Sequence, residues 1–151
     1  MTQKESAALK DLQTQEKSCI EKYTRYSREA SDSVLRDLFT DLAKDEQKHY
    51  DSLTQALEGN YPMNVDCNDH KGHDYKPKAT YAASDNSTAK QTDCFLATDC
   101  IGTEKLVSGE YNNDVFIFGD TNIRKLLADI QIEEQNHAEM LWRYKTVNGM
   151  N

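Results

Sequence analysis

Apolar residues recur along this chain in steps of three and four, the signature of one face of a helix. Leu9, Leu12, Glu16, Cys19, Tyr23, Tyr26 and Ala30 follow that rhythm and predict a first helix over about 4–30. Ser31, Asp32 and Ser33 are three good N-cap residues in a row, and they open a second helix. It runs over about 33–58 with Leu35, Leu38, Leu42, Glu46, His49, Leu53 and Ala56 on its seam, and Gly59 is placed to stop it. A third helix starts within 86–92 and is predicted to run to about 118, through Ala97, Ile101, Glu104, Val107 or Ser108, Tyr111, Val115 and Phe118. Gly119 is expected to end it. Asp120 and Thr121 cap a fourth helix over about 121–147, with Ile123, Leu127, Ile130, Glu134, His137, Leu141 and Tyr144 in line.

Between the second and third helices the pattern lapses. The stretch from about 60 to 88 contains both prolines and has no helical period, so it reads as a linker. The other two connections are two or three residues long and make antiparallel neighbours of the helices they join. A helix of about 26 residues is roughly 39 Å long, and the linker is long enough to span it. The expected fold is therefore all-α: a four-helix bundle of two antiparallel hairpins, about 4–58 and about 89–147, joined by one long crossover. All 151 residues form a single domain in this reading.

The hairpins are repeats. A shift of 88 positions lays Glu16-Lys17 on Glu104-Lys105, Tyr23 on Tyr111, Asp32 on Asp120 and Arg36 on Arg124. It also lays Leu38 on Leu126, Asp41 on Asp129, Glu46-Gln47-Lys48-His49 on Glu134-Gln135-Asn136-His137, and Leu53 on Leu141. A pseudo-two-fold axis follows.

Composition narrows the function. The net charge is −8 with a pI near 5.0, which repels phosphate backbones and argues against nucleic acid as a partner. No stretch approaches the ~20 apolar residues of a membrane span, and the first 20 residues lack the apolar run of an export signal. The four cysteines, Cys19, Cys67, Cys94 and Cys100, are accordingly expected as free thiols of a reducing compartment. Cys19, Cys94 and Cys100 fall in helical segments, where a buried thiol acts as a small apolar residue.

The chemistry lies in the repeat. Each half supplies Glu-x29-Glu-x2-His: Glu16, Glu46 and His49, then Glu104, Glu134 and His137. Glu-x-x-His places both side chains on one helix face, and all six residues occupy seam positions where leucine is expected. One Glu from each of two helices with Glu-x-x-His from each of the others is the ligand set of dinuclear carboxylate centres. The donors suit iron or manganese, and also accept zinc or cobalt; two ions are expected, iron before manganese. Four buried carboxylates repel one another, and two divalent cations would cancel that charge. Glu46 and Glu134 would bridge the metals, with Glu16 and Glu104 each capping one.

Other groups carry weaker signals. Asp45, Glu133, Asp41 and Asp129 lie one or two turns before the histidines and read as solvated helix charges, or else as partners that orient the imidazoles. Tyr23 and Tyr111 would either hydrogen-bond a ligand carboxylate or fill core. Cys67, His70 and His73 are spaced as zinc or copper ligands but lack a fourth member, which favours coincidence. Val115-Phe116-Ile117-Phe118 is apolar all round, so one side would face the linker or a subunit interface that Trp142 could join.

The second half resembles the Coat F family of bacterial spore coat proteins, in Thr103-Glu104-Lys105, Ile123-Arg124 and the run from Ile130 to Ala138. The first half resembles it less closely, in Gln15-Glu16-Lys17, Leu35-Arg36 and Asp45-Glu46-Gln47 with His49. The resemblance implies a ferritin-like fold, synthesis in the cytoplasm of the sporulating mother cell, and deposition on the spore coat among other coat proteins. It covers the two hairpins and not the linker. Rubrerythrin-type relatives of the fold add a paired Cys-x-x-Cys module and carry a further Glu where this chain has Val107. The leading expectation is a spore coat protein with a two-metal centre, assembling as a dimer. An oxidoreductase acting on peroxide or oxygen, or oxidising ferrous iron, is the second, and a metal-free packing module the third.

Overall fold

The computed structural model describes residues 1–60 and 70–151. Among them are five α-helices and no strand. Four are long: α1 (Gln3–Glu29), α2 (Ser33–Leu57), α4 (Thr88–Asp114) and α5 (Thr121–Val147). The fifth, α3 (Lys71–Asp74), is one turn within the crossover, and Val115–Ile117 forms a 3-10 turn after α4.

Polar side chains start the long helices where the caps were expected. Asp32 accepts from the Val34 N–H at 3.0 Å, and Asp120 accepts from Asn122 and Ile123 at 2.7 and 3.2 Å. Gly59 follows α2 with a φ of 75°, a left-handed position that glycine takes at least cost. Thr2 and Glu5 form a capping box at the start of α1 that the apolar rhythm did not reveal.

Two expectations are corrected. The third long helix ends at Asp114, not Phe118, and tightens into the 3-10 turn. The turn drops Phe118 into the core at 4% exposure and leaves Phe116 outside at 84%. The crossover, expected as a linker without helical period, contributes α3, which packs against α5.

The long helices contact one another as α1 with α2, α4 with α5, α1 with α4, and α2 with α5. Side-chain pairings give their directions. Tyr23 and Glu16 of α1 meet Glu104 and Tyr111 of α4 respectively, so these helices are antiparallel. His49 of α2 meets Glu133 while Asp45 lies against His137, so α2 and α5 are antiparallel as well. Thus α2 and α4 point the same way, and the crossover must traverse a helix length.

The core falls into two apolar halves. One gathers Leu9, Leu12, Leu53, Tyr111, Leu127 and Ile130. The other gathers Tyr23, Leu35, Phe39, Leu42, Leu141 and Tyr144. Between them, at the same level on all four long helices, lies a layer of buried charge.

Candidate metal centre

Glu16, Glu46, His49, Glu134 and His137 are fully buried, and Glu104 is 1% exposed. The seam spacing accounts for this directly, because residues placed every three or four positions on an α-helix share the face turned inward. Their donor atoms form two groups, Glu16–Glu46–His49–Glu134 and Glu46–Glu104–Glu134–His137, within each of which all lie within 4.8 Å of one another. Glu46 and Glu134 belong to both groups.

Both imidazoles turn Nδ1 toward the carboxylates. His49 Nδ1 lies 3.1 Å from Glu46 Oε2 and 2.9 Å from Glu134 Oε1. Of these two contacts, the one with Glu46 has hydrogen-bond geometry. His137 Nδ1 reaches the other oxygen of Glu46 at 3.0 Å and lies 3.3 Å from Glu104. The two rings stack, with centroids 5.8 Å apart and planes inclined by 15°.

Around this set the repeat becomes visible in three dimensions. Tyr23 donates to Glu104 and Tyr111 donates to Glu16. Each phenol therefore serves the carboxylate of the opposite half, and both tyrosines also fill core. Asp45 and Glu133, read first as solvated, are 7% exposed and face the imidazole Nε2 atoms of the opposite half. Helix periodicity placed these two on the flank of the seam, and only the packing of α2 against α5 turns that flank inward. Asp41 pairs with Lys44 in solvent and Asp129 with Lys125, so neither orients an imidazole.

The protonation of the layer reflects its crowding. Burial, then the charge of Glu46, pushes Glu16 well above the usual carboxylate range. Burial pushes Glu134 the same way, reinforced by Glu104, Glu46 and Glu16. Burial also acts on Glu46, but His137 and the hydrogen bonds around it outweigh that effect and hold it well below the usual range. Burial alone would depress both imidazoles; the surrounding carboxylates reverse the sign and raise both. The layer thus limits its negative charge by retaining protons, as expected for ionisable groups out of water.

Even so, its polar groups are not satisfied. Glu16 Oε2, Glu104 Oε2, both oxygens of Glu134 and His137 Nε2 are buried with no hydrogen-bond partner among the described residues. Buried polar atoms rarely go unpaired, and several orphaned oxygens converging with imidazoles form a donor set suited to divalent cations. The residues present fit two such ions.

Cys19, on the same seam one turn beyond Glu16, is buried, and burial, followed by the four carboxylates, pushes its thiol upward. Other contacts carry no signal in the helical pattern. Lys71 pairs with Asp45, and the Gly72 N–H donates to Asn136 at 2.9 Å; nothing in an aperiodic stretch signals such contacts. Asp93, fully buried, accepts from the N–H groups of Ser31 and Asp32, and Glu5 accepts from Gly119. These are equivalent positions of the repeat, so the 88-residue shift could have exposed the pair.

Only part of the linker group is described. Cys67 lies outside the described residues, while His70 and His73 are exposed and His73 contacts Asp74 at 3.2 Å. Cys19, Cys94 and Cys100 are free thiols, the first and last buried. Trp142 lines a groove of about 360 Å³ with Tyr75 and Pro77, apart from the 115–118 segment.

Fold and site together define an all-helical protein built from a duplicated hairpin around a buried carboxylate–histidine layer. Residues 92–150, most of the second hairpin, match the Coat F domain. No curated protein and no solved structure matches the chain. Among the described residues, no helix is long and apolar enough to cross a membrane.

Proposed function

We propose that this chain is a spore coat protein, a single ferritin-like domain over residues 1–151, that holds two divalent metal ions in its core. The observation that carries the metal reading is the convergence of the two ligand groups on shared Glu46 and Glu134, with four carboxylate oxygens of the set left unpaired. Glu16 with His49 would hold one ion and Glu104 with His137 the other, with Glu46 and Glu134 bridging. Iron is the first candidate and manganese the second. The Coat F match supports the coat assignment and, with it, synthesis in the mother cell and deposition on the spore surface among other coat proteins.

The metals would first serve stability. Each ion replaces protons held by a crowded, buried layer, so its binding free energy is also folding free energy. If one coordination position stays open, the pair also supplies redox capacity toward peroxide or oxygen. Assembly into dimers or larger arrays is supported by Phe95, Leu106 and Phe116, which are 67%, 75% and 84% exposed.

Elemental analysis of protein purified without a metal-affinity tag tests the reading, with Glu134→Ala/His137→Ala as the comparison. About two iron or manganese ions per chain are expected, lost in the double variant together with a fall in Tm. No metal above background after anaerobic Fe(II) loading would sink the proposal and leave a structural module with a polar seam. A peroxide-driven optical change in the iron-loaded protein would distinguish a redox centre from a structural one.

A further inference from the structure

The two halves of the centre are related by the repeat, yet their outer contacts differ. His49 Nε2 lies 2.5 Å from Glu133 Oε2. The equivalent contact, His137 Nε2 to Asp45 Oδ2, is 3.4 Å long and leaves that nitrogen without a hydrogen bond. Asp45 is one methylene shorter than Glu133, and the same oxygen is engaged by Lys71 from α3. Lys48 adds a weaker contact to the other oxygen at 3.4 Å. Among the described residues, no lysine or arginine pairs with Glu133.

Lys71 is brought there by close packing of the crossover. The Gly72 N–H donates to Asn136 of α5. A Cβ on Gly72 would stand 2.6 Å from Glu139 Oε2 and 2.9 Å from Glu139 Cβ, so the backbone approaches α5 more closely than any side chain permits. Asn136 occupies the position that holds Lys48 in the first half. The second half thus carries an acceptor for the crossover where the first carries an exposed cation.

A carboxylate accepting from the outer N–H of a ligating imidazole raises its basicity and strengthens metal binding, by about 10- to 100-fold. Glu133 does this for His49 without a competing cation. Asp45 is drawn away from His137 and its charge is offset by Lys71. We propose that α3, through Lys71, makes the two metal positions unequal: the ion held with His49 binds more tightly than the ion held with His137. This inference rests on the two-metal reading and adds an order of filling that the repeat by itself would not impose.

Anaerobic titration with Co(II), followed by visible absorption and electron paramagnetic resonance, tests it without any catalytic readout. The wild-type chain is expected to fill in two steps separated by about tenfold or more in Kd, with a mononuclear signal dominating at one Co(II) per chain. His137→Gln should abolish the weaker step and spare the tighter. Lys71→Met should tighten the weaker step by about tenfold, and Lys71→Arg should preserve the wild-type gap. Glu133→Gln should weaken the tighter step by about 10- to 100-fold. Gly72→Ala, which unseats α3 but keeps the lysine, should move the weaker step in the same direction as Lys71→Met. Two equal steps in the wild type, or a Lys71→Met profile identical to it, would overturn the inequality while leaving the two-metal reading intact. Failure to take up Co(II) at all would overturn both.

Discussion

Tyr111 of α4 donates its hydroxyl to Glu16 of α1 with both residues fully buried. The Tyr23–Glu104 bond repeats the relationship in the other direction across the same helix pair. Two reciprocal bonds hold α1 and α4 in register at the level of the charged layer. Helix α1 thereby becomes committed to α4 through the site itself, independently of the short turn that joins it to α2.

Tyr111→Phe removes a buried hydrogen bond and leaves a second oxygen of Glu16 without a partner. A loss of about 1–3 kcal/mol is expected in denaturant unfolding of the metal-free protein. Tyr23→Phe should lose a comparable amount, because its environment is the repeat of the first. Unchanged stability in both variants would show that the bonds do not hold the layer together.

Arg36 caps the α1–α2 turn, reaching the carbonyls of Ala30 and Ser31 at 3.2 and 2.7 Å. Arg124 caps the α4–α5 turn identically, reaching Phe118 and Gly119 at 3.1 and 2.8 Å. Each replacement by Met should cost about 0.5–1.5 kcal/mol. With α1 and α4 antiparallel, the turns lie at opposite ends, so the two losses should add within about 0.5 kcal/mol. Urea unfolding of both single variants and the double variant checks this, and strong non-additivity would contradict the independence of the two ends.

Glu5 ties the start of α1 to the α4–α5 turn, accepting from Thr2 and Gly119 at 2.7 and 3.0 Å. The hydrogen bonds from Thr2 and then Gly119 lower its pKa to about 2. A carboxylate depressed in the folded state contributes stability above its ordinary value of 4.5, and that contribution is lost as pH falls toward 2. Carbon-detected titration should find Glu5 ionised well below the other exposed carboxylates. Glu5→Gln should abolish this part of the acid sensitivity and speed exchange of the Gly119 amide. A Glu5 that titrates with the exposed carboxylates would refute the clasp.

Asp93 accepts from two backbone N–H groups and from Tyr81 while fully buried. Asp93→Asn turns one acceptor oxygen into a donor facing donors, for an expected loss of about 1–3 kcal/mol. The loss should appear as a lower Tm and weaker amide protection of Ser31 and Asp32. Wild-type protection at those amides would remove Asp93 from the turn.

Much of the architecture follows from local pattern. Four helices, their caps at Asp32 and Asp120, the stop at Gly59 and the inward face of each seam depend on 3.6-residue periodicity and turn chemistry, and both are properties of short stretches of chain. The six carboxylates and imidazoles were legible for the same reason: they occupy seam positions, and the repeat presents them twice.

What the sequence could not determine arises between elements distant along the chain. Periodicity places Asp45 and Glu133 beside the seam, but only the antiparallel docking of α2 on α5 sets them against the imidazoles of the opposite half. It likewise predicts a continuous helix through Val115 to Phe118, where the tertiary core selects a tighter turn that buries Phe118 and releases Phe116. The largest departure is α3. Its single turn is too short for a periodic signal, and its place depends on the fit of Gly72 against Glu139 and Asn136. Sequence alone therefore determined a nearly symmetric pair of hairpins, because local rules act equally on both repeats. Tertiary structure broke that symmetry, because the one crossover can cover only one side of the charged layer.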